Sequence, residues 1–264
     1  MMPVAPDLNP GLSSLLDRVA QRQREDFGHM ASSLKADGSL ITSCDRWSDT
    51  TLVEGLAELY PKEGVLSEEG RQLLPATSAY WVVDPLDGTT NFAAGIPYWA
   101  ISMARFDQGV PVLAVLDVPP LRQRIVAVRG RGAWRNGKPL HPPSMQTNPA
   151  GCASLCSRSI RVLQKLPHRR FPGKIRLLGV ASLNLVSVAM GQTVAALEAT
   201  PKIWDLAAAW LVLTELQCPL TWLNQAPEGI AAGTDLSQTD FPVLVADRPE
   251  TLQDFMPWAC ALRD

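Results

Sequence analysis

Two aspartates that follow an apolar run are the first residues in this sequence with the types and spacing for metal chemistry. The run 81–83 ends at Asp84, Asp87 follows three positions later, and a proline and a glycine lie beside them. This pattern predicts a buried strand that delivers both carboxylates into a tight turn. Carboxylates with a backbone carbonyl are the ligands of Mg²⁺, and Thr89 offers a hydroxyl that would orient a water. The alternative is a surface turn whose carboxylates only bond local backbone N–H groups.

The segment from Asp84 to Phe92 resembles, residue for residue, the D-P-[IL]-D-G-T-x-N-F signature of the inositol monophosphatase family. Other family motifs follow in the same order along nearly the whole chain. The resemblance implies a Mg²⁺-dependent phosphoric monoester hydrolase that binds two or three ions and a small phosphorylated substrate. It also implies that Asp84, Asp87 and the backbone carbonyl of Leu86 bind metal.

Two further acids are assigned to the same metal centre by this resemblance. Glu68 resembles the first glutamate of the family's G-E-E element, although Ser67 stands where glycine is usual. Asp205 lies in a W-D-x-A-[AG] motif, whose alanines would let the start of a helix approach a sheet closely. Without the resemblance, Glu68 would be assigned to a solvated edge and Asp205 to compensation of a helix dipole. Four clustered carboxylates are costly unless cations neutralise them, which favours two or more Mg²⁺.

Thr89 and Asp45 are the expected catalytic pair. Residues 35–42 resemble the family's K-x-D-G-S-x-[VL]-T approach to the active site, and Asp45 completes a Thr-x-x-Asp beside the catalytic threonine. Taken alone, Asp45 would be the N-cap of a helix. The resemblance implies instead that Asp45 accepts a hydrogen bond from Thr89. Thr89 would then orient or deprotonate a water for in-line attack on phosphorus.

Substrate contacts are expected from the signature and from the second half of the chain. Gly179 begins a turn that resembles the family's G-[ST]-A-A, and Glu198, seven residues before Asp205, matches a glutamate that contacts sugar hydroxyls. The alternative for Glu198 is a solvent-exposed acid at a strand end. The residues expected to bind substrate are Asp87, Gly88, Thr89, Arg158, Gly179, Val180, Ala181 and Glu198.

The identity of the substrate stays open at this point. Glu198 and the run Thr90-Asn91-Phe92 favour myo-inositol 1-phosphate, whereas Ser157-Arg158-Ser159 resembles the phosphoadenosine phosphatases and favours 3′-phosphoadenosine 5′-phosphate. Histidinol phosphate and fructose 1,6-bisphosphate are further alternatives. A non-catalytic protein that binds a metabolite or metal would be favoured by a missing ligand or a lost Thr89, and neither is seen.

Composition and charge argue against several other classes of protein. The chain of 264 residues is 46% hydrophobic with a formal net charge of −2, which fits a globular domain and argues against a nucleic-acid polymer as partner. No apolar run has the length of a membrane span, and the N-terminus lacks the features of a secretory signal. Five cysteines without zinc-like spacing favour reduced thiols in the cytoplasm.

The element order predicts a mixed α/β protein. Strands are predicted at 99–106, 110–118 and 124–128 as an antiparallel meander, and helices at 12–27, 50–59, 204–216 and 251–262, with a short basic helical stretch at 158–170. A connector at 141–151 is predicted to divide a single domain, 1–264, into packed halves of about 1–141 and about 152–264. The resemblance implies an α/β (α+β) fold, a layered α/β/α/β/α sandwich of the inositol monophosphatase and fructose-1,6-bisphosphatase type, paired as a homodimer.

Overall fold

The computed structural model describes residues 8–29, 32–35, 40–144 and 151–262. The helices are α1 Pro10–Asp26, α2 Ser43–Leu59, α3 Thr89–Ala93, α4 Arg161–Lys165, α5 Ala181–Ala189, α6 Ile203–Glu215 and α7 Pro249–Cys260. The strands are β1 Ser32–Leu34, β2 Leu40–Thr42, β3 Gly64–Ser67, β4 Ala79–Asp87, β5 Ala100–Asp107, β6 Val110–Val118, β7 Gln123–Val128, β8 Gly132–Arg135, β9 Lys138–Pro139, β10 Cys152–Leu155, β11 Lys174–Arg176, β12 Ala195–Glu198, β13 Leu220–Trp222 and β14 Val243–Ala246.

The larger sheet has seven strands in the order β3-β4-β5-β6-β7-β8-β9. Only β3 and β4 pair in parallel, so the predicted antiparallel meander is confirmed. Successive side chains of β4 point to opposite faces of the sheet, as in any strand. Trp81 and Val83 pack against α1 and α2, whereas Tyr80 and Val82 join the core around α5 and α6. The sheet is therefore covered on both faces.

The smaller sheet has five strands in the order β11-β10-β12-β14-β13, with β10 parallel to both of its neighbours. Helices α5 and α6 lie between the two sheets, while α4 and α7 cover the outer face of the smaller one. The layers are α1 and α2, the larger sheet, α5 and α6, the smaller sheet, and finally α4 and α7. This order confirms the predicted α/β/α/β/α sandwich.

Two predicted helices have different bounds. Helix α2 begins at Ser43, well before the predicted Thr50, because Thr42 and Asp45 form a capping box in which each side chain accepts from the other's backbone N–H. The basic stretch predicted at 158–170 contains only a 3₁₀ turn, Ser157–Ile160, followed by α4. Pro167 lies just beyond α4, and the residue before a proline is disfavoured in helical conformation.

The two sheets are built from residues before and after the predicted connector, of which 145–150 lie outside the described residues. The turn at 36–39 in the expected approach segment also lies outside them. Among the described residues, no helix combines the length and apolar character that crossing a membrane requires.

Candidate active site

Both aspartates of the signature lie at the end of the central strand β4. The sequence predicted a tight turn after Asp84, but the strand continues to Asp87, which is opposite Ala100 of β5. The register is irregular between the two aspartates, because Pro85 between them has no N–H to donate to the ladder. Gly88 then turns the chain into α3 with φ +106°. Both carboxylates are therefore fixed by a buried strand.

Three carboxylates converge at this point. Oxygens of Asp84, Asp87 and Asp205 all lie within 4.8 Å of one another. Asp205 comes from the first turn of α6, where its Oδ2 accepts a hydrogen bond from the backbone N–H of Lys202 at 2.7 Å. Glu68, at the end of β3, lines the same cleft of about 170 Å³. The four acids expected to bind metal are thus brought together from three separate elements.

The electrostatics of this cluster favour a bound cation. Burial and then the charge of Glu68 raise the pKa of Asp84 well above its ordinary value, and burial raises that of Asp205 similarly. Burial also raises the pKa of Asp87 to about 6, although backbone N–H groups oppose the shift. Asp84 Oδ2 is buried without a hydrogen-bond partner among the described residues. An all-oxygen cluster with an unpaired buried acceptor fits a hard divalent ion.

Thr89 and Asp45 form the hydrogen bond that the resemblance implied. Thr89 Oγ1 donates to Asp45 Oδ1 at 2.6 Å and lies 3.2 Å from the carbonyl oxygen of Leu86. The other carboxylate oxygen, Oδ2, accepts from the backbone N–H of Thr42 at 2.8 Å. Asp45 therefore bonds the N-cap residue Thr42 with one oxygen and Thr89 with the other. It is the third residue of helix α2 and not its N-cap, so the alternative considered from sequence is wrong.

Lys35 contacts the acidic cleft through Glu68, and the sequence did not single it out. Its Nζ lies 2.8 Å from Glu68 Oε1 and also bonds Glu69. Burial opposes the charged form of Lys35, but the carboxylates of Glu68 and Glu69 raise its pKa. Burial raises the pKa of Glu69 to about 7, and the charge of Glu68 adds to this shift. Lys35 is the first residue of the family motif at 35–42, and that motif was the feature of the sequence that could have identified it.

A second cleft of about 340 Å³ adjoins the acidic one and shares Asp87, Gly179 and Asp205 with it. The expected substrate contacts from the second half of the chain all line it: Arg158, Gly179, Val180, Ala181 and Glu198. Asp87 lines both clefts. Its carboxylate accepts hydrogen bonds from the backbone N–H groups of Ala181 at 3.2 Å and Ser182 at 2.7 Å. It thereby caps α5, which has no side-chain cap of its own.

Glu198 lies at the base of this second cleft. It is only 2% exposed, so the alternative of a solvent-exposed acid at a strand end is wrong. Its Oε1 accepts from Asn184 Nδ2 at 2.8 Å. Burial raises the pKa of Glu198 to about 8, against the lowering effect of its hydrogen bonds to Asn184 and Cys156. Arg158, by contrast, is exposed and its Nη1 donates to Thr200 Oγ1 at 2.7 Å.

Asn91 of the signature holds the turn between the clefts. Its Nδ2 donates to the carbonyl oxygens of Tyr98 at 3.0 Å and Leu178 at 2.8 Å. Gly179 follows at φ +76°, and a Cβ there would lie 3.1 Å from Asn91 Oδ1. This structural role of Asn91 was not predictable from the sequence, because its partner Leu178 is distant in the chain.

The inositol monophosphatase family model matches residues 10–250 of this chain. The chain belongs to the inositol monophosphatase family. It is 32% identical over 225 residues to a histidinol-phosphatase of Mycobacterium tuberculosis, covering 80% of this chain and 85% of that protein. It is 34% identical over 210 residues to an inositol-1-monophosphatase of Rhizobium meliloti, covering 72% and 76%. Because family members are phosphatases, the prediction of an enzyme of this class is confirmed.

A solved structure adds to the comparison of folds. The crystal structure of an IMPase/NADP phosphatase complexed with Mg²⁺ and phosphate superposes with a TM-score of 0.74 over 92% of this chain and 93% of that one, at 24% identity. At this identity the likeness establishes the fold, in agreement with the layered sandwich described above.

Proposed function

We propose that this family phosphatase is Mg²⁺-dependent and hydrolyses the monoester of a small phosphorylated alcohol. The observation that carries the proposal is the convergence of Asp84, Asp87 and Asp205, with Asp84 Oδ2 buried and unpaired among the described residues. The structural neighbour that contains Mg²⁺ and phosphate supports the same choice of ion. The proposed metal ligands are Glu68, Asp84, the Leu86 carbonyl, Asp87 and Asp205.

Two or three ions are proposed for this centre. When bound, they would neutralise the carboxylates, lower the pKa of a water and stabilise the negative charge that develops on the leaving oxygen. We assign Glu68, Asp84 and the Leu86 carbonyl to one ion. Asp84, Asp87 and Asp205 are assigned to a second, so Asp84 would help to hold both. Removal of its charge should therefore affect more than one ion.

Thr89 is proposed to position the attacking water. Its hydroxyl proton is directed to Asp45 Oδ1 at 2.6 Å, and Asp45 is 1% exposed, so this hydrogen bond is shielded from solvent. The lone pairs of Thr89 Oγ1 then remain available to accept a hydrogen bond from a water. As the water attacks phosphorus, Thr89 would hold it in line, or would accept its proton while passing the hydroxyl proton of Thr89 to the Asp45 carboxylate, which becomes neutral.

The favoured substrate is myo-inositol 1-phosphate. The second cleft has a volume of about 340 Å³, within the range of sites for small ligands, and Glu198 offers a buried carboxylate to sugar hydroxyls. The run Thr90-Asn91-Phe92 favours the same subgroup. We assign substrate binding to Asp87, Gly88, Thr89, Arg158, Gly179, Val180, Ala181 and Glu198.

Histidinol phosphate is the second candidate. The relative from Mycobacterium tuberculosis is named a histidinol-phosphatase, and the same Glu198 carboxylate would pair with the ammonium group of that substrate. A carboxylate that contacts hydroxyls and one that contacts a cation differ in their response to loss of charge. Glu198→Gln keeps an acceptor for a hydroxyl but removes the ion pair, so it should reduce histidinol phosphate hydrolysis more than inositol 1-phosphate hydrolysis.

The test is phosphate release by the purified protein from a panel of esters, with and without Mg²⁺. The panel contains myo-inositol 1-phosphate, histidinol phosphate, 3′-phosphoadenosine 5′-phosphate and fructose 1,6-bisphosphate. We expect Mg²⁺-dependent hydrolysis with the highest kcat/KM for inositol 1-phosphate. A higher kcat/KM for another ester would replace the substrate assignment, and activity without any divalent ion would refute the metal assignment.

A homodimer in the cytoplasm is also proposed. Ile96 and Leu177 are 49% and 50% exposed, and Asn91 holds the two segments that carry them side by side. Two large apolar side chains on one surface support a contact with a second copy. All five cysteines are free, which supports a reducing compartment. Sedimentation of the wild type and of Ile96→Glu tests the dimer; monomeric wild-type protein would refute it.

A further inference from the structure

Apart from Arg158, a basic segment beside the second cleft has no part in the chemistry described above. Residues 158–176 contain seven of the 24 arginines and lysines of the chain and none of its 26 aspartates and glutamates. The seven side chains are all exposed. They belong to Arg158, Arg161, Lys165, Arg169, Arg170, Lys174 and Arg176. The remainder of the chain carries more acidic than basic residues, so positive charge is concentrated in this segment.

The charges of the basic segment are not neutralised locally. None of its seven cations forms an ion pair with a carboxylate of the described residues. The less exposed cations Arg105 and Arg124 are paired, with Glu63 and Asp117 respectively. Exposed cations without carboxylate partners produce a field that extends into solvent over about a Debye length, roughly 8 to 10 Å at ordinary salt.

The basic segment is anchored to the second cleft at both of its ends. Arg158 at its start and Leu177 directly after its end both line the cavity that also contains Asp87 and Asp205. Between these points the chain runs through α4 and returns along β11, the edge strand of the smaller sheet. The unpaired cations therefore lie on a stretch of chain that leaves the cleft wall and comes back to it.

We propose that the basic segment is a capture surface that attracts the phosphate ester dianion to the active site. This inference rests on the proposed function, because it takes the ester as the anion. The acidic cleft presents carboxylates to a substrate that carries up to two negative charges, and cations outside that cleft raise the local concentration of the substrate. Such surfaces raise association rates by about 10- to 10³-fold when they surround a site completely, and less when they flank it.

The test uses one variant with four charges removed and a matched control. The four substituted residues lie within the basic segment, form no ion pair among the described residues and exclude Arg158. The substitutions are Arg161→Gln, Arg169→Gln, Arg170→Gln and Lys174→Gln. The control removes four other exposed cations, none of which lines either cleft. Its substitutions are Arg18→Gln, Lys62→Gln, Arg129→Gln and Lys138→Gln.

The first measurement is kcat/KM for the phosphate ester at saturating Mg²⁺, as ionic strength rises from about 20 mM to about 500 mM. We expect the wild type and the control to lose kcat/KM with the same slope. The basic-segment variant should have a kcat/KM about 3- to 10-fold lower at low salt, an unchanged kcat and a flatter slope. Equal slopes for the variant and the control would overturn the proposal.

The second measurement separates this proposal from the proposed function. It is the dissociation constant of inorganic phosphate in the presence of Mg²⁺, measured by calorimetry at low and high salt. If no ester is hydrolysed but the basic-segment variant binds phosphate more weakly than the control at low salt, the proposed function fails and the capture surface stands. If esters are hydrolysed and both measurements agree between variant and control, the capture surface fails. A variant that loses only affinity for an RNA oligonucleotide would also overturn it, in favour of a nucleic-acid partner.

Discussion

Replacement of Asp45 by asparagine should remove most of the catalytic activity without unfolding the protein. Asp45 Oδ1 accepts the proton of Thr89 at 2.6 Å, and Oδ2 accepts from the backbone N–H of Thr42 at 2.8 Å. An asparagine keeps one acceptor for the helix cap but turns an N–H donor towards Thr89. The hydroxyl of Thr89 then accepts from this N–H and has no carboxylate to which it could pass its own proton, so it can no longer take up the proton of the attacking water.

The expected loss in kcat follows from this reversal. A general base contributes about 10²- to 10⁴-fold, and a buried charge-assisted hydrogen bond about 1.5 to 3 kcal/mol, so we expect kcat to fall by about 10²-fold, close to 3 kcal/mol. The assay is phosphate release at saturating substrate and Mg²⁺. Asp45→Asn combined with Thr89→Val should be no slower than Thr89→Val alone, because the two residues act as one unit.

The matched control is Asp117→Asn. Asp117 is another buried aspartate with a hydrogen-bonded partner, Arg124, and it lines neither cleft of the active site. It should lower the free energy of unfolding while kcat stays within about twofold of the wild type. If Asp45→Asn retained a kcat within about threefold of the wild type, or if its effect and that of Thr89→Val multiplied in the double variant, the proposed role of Thr89 would be wrong.

Three further predictions follow from named contacts. Above about pH 8, where the Glu198 carboxyl is charged, Glu198→Gln should lower kcat/KM for inositol 1-phosphate by about 1 to 3 kcal/mol, since it weakens a charge-assisted bond in a desolvated cleft; unchanged steady-state kinetics would contradict this. In chelator-treated protein, burial raises the pKa of Glu198 from 4.5 to about 8, so folded protein binds this proton more tightly and the free energy of unfolding should fall as pH rises through that interval. In Glu198→Gln the free energy of unfolding, measured with denaturant, should fall less steeply with pH. Gly88→Ala should lower the free energy of unfolding by about 1 to 3 kcal/mol, because φ is +106° and the new Cβ would lie 2.8 Å from Val180 Cγ2. Thermal melting measures this, and the control Gly95→Ala, at φ +74° in open space, should lower the stability less.

The elements of the larger sheet were predictable from sequence because their signals are local. The meander from β5 to β7 follows from apolar runs separated by short turns, and its strands differ from the prediction by only a residue at their ends. The start of α2 was missed because Thr42 and Asp45 cap it together, which a hydrophobic pattern does not reveal. The continuation of β4 past Pro85 was missed because proline ordinarily ends a strand, whereas here the neighbouring strand β5 accommodates an irregular register.

The candidate site was only partly predictable, because several of its contacts join elements that are distant in the chain. Asp84 and Asp87 are close in sequence, so their chemistry is visible without a structure. Asp205 reaches them only because α6 lies between the two sheets, and the residues alone gave no sign of this; the family resemblance supplied it. Asn184 was missed because it supports Glu198 from a different element, and Lys35 because its partners lie more than 30 residues away. Contacts of this kind are set by packing.

The central claim is that Glu68, Asp84, Asp87 and Asp205 bind the divalent ions of the enzyme. It is tested most directly by calorimetric titration of Mg²⁺ into metal-free wild-type protein and into Asp84→Asn, with circular dichroism to verify that both are folded. Since Asp84 is the proposed shared ligand and its Oδ2 is otherwise unpaired among the described residues, we predict two or three bound ions in the wild type and fewer in the variant. Equal stoichiometry and affinity in the two proteins would contradict the claim.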